Sequence, residues 1–251
     1  MDQLHENLKS LRLNYLSEHL DEFLINCEKS SLKPLDMIDR MAELEILERN
    51  QRSTSQRIKT AKIGKFRHIQ EFDWDHPKSI NKDLVMGLFS LDFLKENRNI
   101  VIAGPQGMGK TLISKNLAYQ AATKGYNSLF KTAAQIVMDL SSAESSVALV
   151  RKLKVYTRPK LLVIDEIGYL SFDQKSADLI FEIVNRRYEN GSIIITTNLA
   201  FKDWGEIFPG SPCVTAMIDR LTHHCEIIKL TGDSYRRLEA TTSTKKGKKN
   251  G

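Results

Sequence analysis

Residues 100–118 constrain the fold of this chain more than any other stretch. Four small, apolar residues, Ile100–Ala103, predict a buried strand. The next eight, Gly104–Thr111, match the pattern G-x-x-x-x-G-K-[ST] at every fixed position. Leu112–Ala118 then has the composition of a helix. A strand, a glycine-rich loop and a helix in this order predict a phosphate-binding loop. A plain glycine-rich turn with a surface lysine is the less favoured alternative.

Each residue type in this loop has a physical role in binding a nucleotide. Glycines can adopt positive φ and bring the backbone close to an anion, so that N–H groups point at phosphate oxygens. Lys110 can reach the β- and γ-phosphates of ATP, and Thr111 can offer its hydroxyl to Mg²⁺. The predicted nucleotide-binding residues are Gly104, Pro105, Gln106, Gly107, Met108, Gly109, Lys110 and Thr111.

A second cluster of polar residues follows two later apolar runs. Asp165 and Glu166 come directly after the apolar run 161–164. We expect Asp165 to join Thr111 in the Mg²⁺ shell and Glu166 to orient or deprotonate an attacking water, which predicts hydrolysis as well as binding. Asn198 ends the run 192–197 and can hydrogen-bond that water or the γ-phosphate, with a turn cap as the alternative. An arginine can complete such a site, and the residues alone leave five candidates open, Arg186, Arg187, Arg220, Arg236 and Arg237.

Strands and helices alternate from residue 100 onward. Apolar or β-branched runs predict five strands, at residues 100–103, 128–132, 161–164, 192–197 and 225–230. Helical patterns lie between them, and one precedes the first strand at residues 84–94. This alternation predicts an α/β domain over residues 65–240, with a parallel sheet that helices cover on both faces.

The first 64 residues predict a small, all-helical domain with a basic segment. Apolar side chains recur at spacings of three and four residues, and no acidic residue lies between Glu48 and Glu71. We favour DNA or RNA binding by this segment over a solvated helix face, because unbalanced charge runs are common interaction surfaces. The candidate contacts are Arg49, Arg52, Arg57, Lys59 and Lys62. Residues 241–251, rich in lysine, predict a disordered tail.

Composition excludes several other classes of protein. Apolar residues make up 41% of the chain, enough for a sizeable core, and the net charge of +6 favours a polyanionic partner. No apolar run approaches the ~18–20 residues of a membrane helix, and no signal peptide is indicated, so we expect a cytoplasmic protein without membrane contact. The 3 cysteines are too scattered for a disulfide framework or zinc motif. His223, His224 and Cys225 do not predict a metal site, because neighbours in a strand point to opposite faces.

Taken together, the motifs resemble the IstB family, the ATPase helpers of IS21-type transposons. The resemblance covers nearly the whole chain and rests on Gly104–Thr111, Leu161–Leu170, Arg187–Glu189, Thr196–Leu199, Trp204–Glu206, Asp219–Leu221 and Gly232–Arg236. It implies an AAA+ core with strand order 5-1-4-3-2 and a nucleotide held between neighbouring subunits. It also implies that Asn198 is the sensor-1 residue, that Arg220 acts in trans as an arginine finger and that Arg236 is the sensor-2 arginine. The chain ends soon after Arg236, so the usual helical lid is expected to be missing.

The same resemblance implies a function in DNA transposition. The expected protein binds ATP and Mg²⁺, forms a ring or helical homo-oligomer on duplex DNA, and recruits and stimulates the transposase of its element. ATP hydrolysis, stimulated by DNA, then resets the assembly. Two alternatives stay open. One is a loader of a replicative helicase, similar to DnaC, which works on single-stranded DNA. The other is a nucleotide-gated scaffold without turnover, which the Asp165–Glu166 pair disfavours.

Overall fold

The computed structural model describes residues 2–75, 80–169 and 171–232. The chain forms two compact units, one up to Gln56 and the other from Arg57 onward. The helices are α1 (Asp2–Ser10), α2 (Asn14–Lys29), α3 (Pro34–Thr60), α4 (Lys82–Gly87), α5 (Asp92–Lys95), α6 (Lys110–Thr123), α7 (Ala133–Ser141), α8 (Ser146–Thr157), α9 (Gln174–Arg187), α10 (Trp204–Ile207) and α11 (Cys213–Thr222). The strands are β1 (Asn99–Ala103), β2 (Ser128–Thr132), β3 (Leu161–Ile167), β4 (Ser192–Thr197) and β5 (Cys225–Lys229).

The N-terminal unit contains α1, α2 and most of α3 around a small core. That core is formed by Leu8, Leu16, Leu20, Phe23 and Cys27, with methionine and leucine side chains of α3 packed against it. Glu45 is buried in α3, and its carboxylate accepts the main-chain N–H groups of Asn14 and Tyr15 at 3.1 and 3.0 Å. It therefore satisfies two of the free N–H groups at the start of α2.

The last turn of α3 belongs to the second unit. The Arg57 side chain donates from Nε to the Ala122 carbonyl at 2.9 Å, and the Ala61 carbonyl accepts the Phe130 N–H at 2.8 Å. The sequence predicts that the helical domain extends to residue 64. In the structure the boundary falls before Arg57, because these contacts tie residues 57–63 to the α/β unit.

The second unit is built on a five-stranded sheet in which every neighbouring pair is parallel. The strand order is β2-β3-β4-β1-β5, which confirms the order 5-1-4-3-2 implied by the sequence resemblance. The central strands are rich in isoleucine and valine and are buried along almost their whole length, as expected for a sheet with helices on both faces. All five strands lie where the sequence predicts them, within three residues at each end.

Two segments differ from the sequence prediction. The single helix expected over residues 84–94 is divided into α4, a 3₁₀ turn and α5, because Leu91 adopts a left-handed conformation with φ of 64° while its side chain is buried. Strand β3 continues to Ile167, and its register against β4 shifts between Ile164 and Ile167. This bulge places two consecutive carboxylates in different environments.

Several predictions fall on residues that the structure does not describe. Arg236, Arg237 and the tail 241–251 all lie outside the described ranges. Within the residues that are described, no helix has both the length and the apolar character to cross a membrane.

Candidate functional site

The loop between β1 and α6 is shaped to hold an anion. Gly107 and Gly109 have φ values of 78° and 86°, in the left-handed region that favours glycine. A Cβ atom at Gly109 would also collide with the Phe72 ring. Lys110 is 95% buried, and its Nζ donates to the carbonyls of Gly104 and Pro105 at 2.5 and 2.7 Å. The ammonium group is therefore held inside the loop, beside the N-terminus of α6.

Asp165 and Thr111 form the part of the site that fits a magnesium ion. Asp165 is buried at the end of β3, and the Thr111 hydroxyl donates to its two carboxylate oxygens at 3.2 and 3.1 Å. Burial raises the pKa of Asp165, while hydrogen bonds from Thr196 and Thr111 act in the opposite direction. A carboxylate and a hydroxyl at the edge of a phosphate-binding loop are hard oxygen ligands of the kind that Mg²⁺ prefers.

Glu166 is turned out of the strand and into the cleft. It is exposed, and its φ of 64° is unusual for a residue with a side chain. Its main-chain N–H donates to the Thr196 hydroxyl at 2.9 Å, and the same hydroxyl donates to Asp165 Oδ1 at 2.5 Å. One buried threonine of β4 thus holds both carboxylate residues. The apolar run 193–195 places Thr196 near the strand end, but nothing in the sequence shows this double contact.

Lys110, Thr111, Glu166 and Thr196 line a cleft of about 540 Å³, and Asp165 lies behind Thr111, which it contacts. The lining includes Lys65, Phe66, Arg67, Glu71, Phe72, Asp73, Gln106, Gly107, Met108, Gly109, Lys110, Thr111, Leu112, Lys115, Glu166, Tyr169 and Thr196. The cleft therefore brings together the phosphate-binding loop, the general-base candidate and an aromatic wall, in the size range of small-molecule sites.

Asn116 attaches the aromatic wall to the phosphate-binding helix. This buried residue of α6 accepts the Ile69 N–H at 2.9 Å and donates to the carbonyls of Arg67 and Leu112 at 2.9 and 2.8 Å. The connector 65–73 is thereby fixed beside the loop, with Phe66 and Phe72 facing the cleft. In the sequence, this role could have been suspected because Asn116 is a polar amide on the buried face of a predicted helix, where it needs hydrogen-bond partners.

Asn198 and Arg220 do not line the cleft within the described part of the chain. The Asn198 Oδ1 atom is buried near Gly168 and has no hydrogen-bond partner among the described residues. The Arg220 guanidinium lies over the Phe181 ring, 5.2 Å from its centre, and Nη1 donates to the Ala216 carbonyl at 3.2 Å. Among the described residues, no hydrogen bond joins either side chain to the phosphate-binding loop of its own chain.

Two of the other candidate arginines have roles that the structure explains. Arg187 is 99% buried, and its guanidinium donates to five main-chain carbonyls at 2.7–3.3 Å, those of Tyr156, Thr157, Pro159, Lys160 and Ser192. Burial lowers the pKa of Arg187 to about 10, so the group stays charged at neutral pH. Arg186 is exposed and pairs with Glu182 at 2.6 Å. Arg187 is therefore a structural residue that ties α8, the segment before β3 and the start of β4 together.

The predicted nucleic-acid contacts differ in their surroundings. Arg49 lies 3.9 Å from Glu45, Arg52 pairs with Glu48 at 2.7 Å, and Arg57 is half-buried against Ala122. Lys59 and Lys62 are exposed. The structure therefore gives three of the five cations contacts within their own unit.

Comparison with known proteins identifies the family. A family model described as IstB-like ATP binding protein matches residues 6–243. The chain belongs to the IstB-like family. An ATP-binding protein of insertion sequence IS5376 from Geobacillus stearothermophilus is 35% identical, over 98% of both chains. An ATP-binding protein of insertion sequence IS21 from Pseudomonas aeruginosa is 33% identical, over 95% of this chain and 90% of that one.

Solved structures confirm the AAA+ architecture of this IstB-like chain. DnaA from Aquifex aeolicus bound to AMPPCP has a TM-score of 0.55 and 15% identity, covering 72% of this chain and 54% of that one. The DnaC helicase loader has a TM-score of 0.52 and 16% identity, covering 70% and 99% of the two chains. At these identities the likeness concerns the fold. The IstB-like chain is thus an ATP-binding protein of the insertion-sequence type with an AAA+ core.

Proposed function

We propose that this chain is an ATP-hydrolysing, DNA-binding assembly factor of an insertion sequence. In this proposal it oligomerises on duplex DNA, recruits and stimulates the transposase of the same element, and is reset by ATP hydrolysis in the cytoplasm. The observation that carries the proposal is the arrangement of Lys110, Thr111, Asp165 and Glu166 around one cleft. Relatives of 33–35% identity are ATP-binding proteins of insertion sequences.

The cleft supports hydrolysis as well as nucleotide binding. Thr111 and Asp165 would hold Mg²⁺, which when bound neutralises charge on the phosphates. Glu166 presents an exposed carboxylate to the cleft beside the loop that would hold the γ-phosphate. It is thus placed to accept a proton from a water or to orient it. A protein that only binds the nucleotide has no need for this second, outward-turned carboxylate.

The position of Arg220 supports catalysis between neighbouring subunits. Its guanidinium packs on Phe181 and does not line the cleft of its own chain. An arginine that stabilises the transferred phosphoryl group can come from another subunit. We therefore assign the finger to Arg220 in trans, with Asn198 and Arg236 as the sensor residues, so that oligomerisation switches on hydrolysis.

DNA binding is supported by exposed cations on α8 as well as by the N-terminal segment. Arg151, Lys154 and Arg158 are exposed, and we call them the α8 basic face. Their spacing of three and four residues puts them on one side of the helix and of its C-terminal cap. Within the described residues no ion pair involves them, unlike neighbouring Lys152, which pairs with Asp139 at 3.0 Å. Such cations suit contacts with backbone phosphates.

A helicase loader similar to DnaC is the second candidate, because the DnaC helicase loader shares the fold of this chain. The two chains are 16% identical, however, whereas the insertion-sequence relatives are 33–35% identical over nearly the whole chain. The two functions differ in their DNA. We expect tighter binding to duplex than to single-stranded DNA of equal length, and the opposite order would favour the loader.

The decisive experiment measures phosphate release with and without duplex DNA. Wild-type turnover should rise with DNA, and Glu166→Gln should lower kcat by roughly 10²-fold or more while ATP binding is kept. Glu144→Gln, at an exposed acid of the α7–α8 turn, is the matched control. Wild-type turnover from Glu166→Gln would remove this residue from the mechanism, and no turnover in any condition would favour a nucleotide-gated scaffold.

Mixing two inactive variants tests catalysis in trans. Arg220→Ala should bind ATP without hydrolysing it, and Lys110→Ala should lose ATP binding. In a 1:1 mixture, about one interface in four joins an intact loop to an intact finger, so roughly a quarter of the activity should return. A mixture that stays inactive although the two chains co-assemble would contradict the trans assignment.

A further inference from the structure

Three side chains of types that commonly bind metals meet at the edge of the sheet opposite the nucleotide cleft. Glu189 precedes β4, and His223 and His224 precede β5. One ligand atom of each residue lies within 4.8 Å of those of the other two, and all three residues are exposed. The sequence argued against a metal site here because we expected His223 and His224 to lie in a strand. The structure places both in a turn, with ring centres 4.0 Å apart.

The backbone on both sides of this cluster is held in place. The His224 carbonyl accepts the main-chain N–H of Asn99, at the start of β1, at 2.7 Å. The Glu189 carbonyl accepts from Asn97 Nδ2 at 2.7 Å, and Asn97 Oδ1 accepts from Lys160 Nζ at 2.7 Å. The separation between the two turns is therefore set by the sheet, and only exposed side chains must move to bind an ion.

We propose that Glu189, His223 and His224 form a surface site for a first-row divalent cation, with Zn²⁺ as the best match. Two imidazoles and one carboxylate are typical zinc ligands, and solvent can fill the fourth position. Ligand atoms in a tetrahedral zinc site stand roughly 3.3–3.5 Å apart. Rotation about the exposed side-chain bonds closes the remaining gap.

Tyr188 supplies an outer contact that suits this assignment. Its hydroxyl lies 2.9 Å from His223 Nδ1. With the cation on Nε2, the Nδ1–H group donates to the Tyr188 oxygen and fixes the tautomer and orientation of the ring. Metal-bound histidines usually donate their second N–H group in this way.

The ion would link the turn after α9 to the turn after α11, which is the helix that carries Arg220. Binding only to the folded state stabilises it by mass action. We therefore expect Zn²⁺ to raise the Tm of the chain, with the increase reversed by a chelator. Because the site is at the opposite sheet edge, ATP affinity should not change.

Zinc titration of the full-length, untagged chain by calorimetry tests the proposal. Wild type should bind one equivalent saturably, and His224→Ala and Glu189→Gln should each weaken binding at least tenfold and lose the Tm increase. His68→Ala, an exposed histidine of the connector, and Glu226→Gln should bind as wild type. Unaltered Tm values without zinc will show that the exposed positions leave folding intact.

Three outcomes would overturn the proposal. The first is a wild-type chain that shows no saturable zinc binding and no zinc-dependent rise in Tm. The second is full binding by both His224→Ala and Glu189→Gln, which would place the zinc elsewhere. The third is loss of binding in Cys225→Ser, because the half-buried thiol is not a ligand in this assignment.

Discussion

Replacing Thr196 by valine isolates the contact that holds both carboxylate residues of the cleft. Valine has the shape and strand preference of threonine but lacks the hydroxyl. The change removes the 2.5 Å bond to Asp165 and the 2.9 Å bond from the Glu166 N–H, both at a residue that is 99% buried. The phosphate-binding loop itself is untouched.

The expected cost follows from these two bonds. A hydrogen bond to a charged group contributes about 1.5–3 kcal/mol, and a neutral one about 0.5–1.5 kcal/mol. Part of this is recovered because a buried methyl group replaces the hydroxyl, so we expect a net loss of about 3 kcal/mol in the free energy of unfolding. At 2–4 °C per kcal/mol, this corresponds to a fall in Tm of about 6–12 °C.

The catalytic effect should exceed the effect on binding. Without the Thr196 contact, Glu166 can leave its left-handed conformation, which is unfavourable by roughly 1–2 kcal/mol for a residue with a side chain. If catalysis requires the left-handed conformation, regaining it at this cost predicts a fall in kcat of roughly 5- to 30-fold. ATP affinity should stay within about threefold, because Lys110 and the loop glycines are retained.

Thr197→Val is the matched control, since Thr197 is equally buried in β4 but its hydroxyl, among the described residues, bonds to the main chain of Leu199 and to neither carboxylate residue. Thr196→Ser should recover most of the turnover. Phosphate release, equilibrium binding of an ATP analogue and thermal unfolding give the three readouts. The reasoning is refuted if Thr196→Val matches Thr197→Val in kcat and Tm, or if the serine variant is as impaired as the valine variant.

Three further predictions address stability, pH and DNA. Arg187→Met should lower the free energy of unfolding by about 3–5 kcal/mol in urea titration, because five carbonyls lose their donor, whereas Arg186→Met should change it by less than about 0.5 kcal/mol. A hydrogen bond from the Tyr156 hydroxyl lowers the pKa of Asp139. The stability that the Asp139 carboxylate contributes is therefore present above its unfolded pKa of about 3.9 and is lost as the pH falls through the lower folded pKa. The difference in urea midpoint between wild type and Asp139→Asn should accordingly narrow below about pH 4. Changing the α8 basic face to glutamine should reduce the salt slope of DNA binding by up to about 2.7 without altering ATP affinity, and an unchanged slope would exclude that face.

Most of the fold could be predicted because its signals are local. Each strand of the sheet is a short run of β-branched or apolar residues, and the phosphate-binding loop is a contiguous pattern. The strand order came from family resemblance, since burial on both faces gives every central strand the same apolar character. The carboxylate pair could also be anticipated, because Asp165 and Glu166 follow their strand directly.

What could not be predicted depends on contacts between distant residues. Thr196 reaches Asp165 from the neighbouring strand, 31 positions away in the sequence, and Asn116 fixes the connector almost 50 positions earlier in the chain. Arg187 is one of many arginines by composition, and only the folded chain shows that five carbonyls converge on it. His223 and His224 changed interpretation because the sequence argument treated them as neighbours in a strand, whereas both lie in the turn just before β5.

The basic segment of α3 shows that a run of cations in a sequence does not by itself give a surface without ion pairs. No acid interrupts the run, but a helix pairs residues four positions apart, so Glu45 and Glu48 reach forward to Arg49 and Arg52. Lys59 lies more than a turn beyond the last acid, and within the part of the chain that the structure describes no ion pair involves Lys59 or the α8 basic face. If DNA binds by phosphate contacts, charge removal at Lys59 and on α8 should therefore weaken it more than the same change at Arg49, a ranking that filter-binding at two salt concentrations can test.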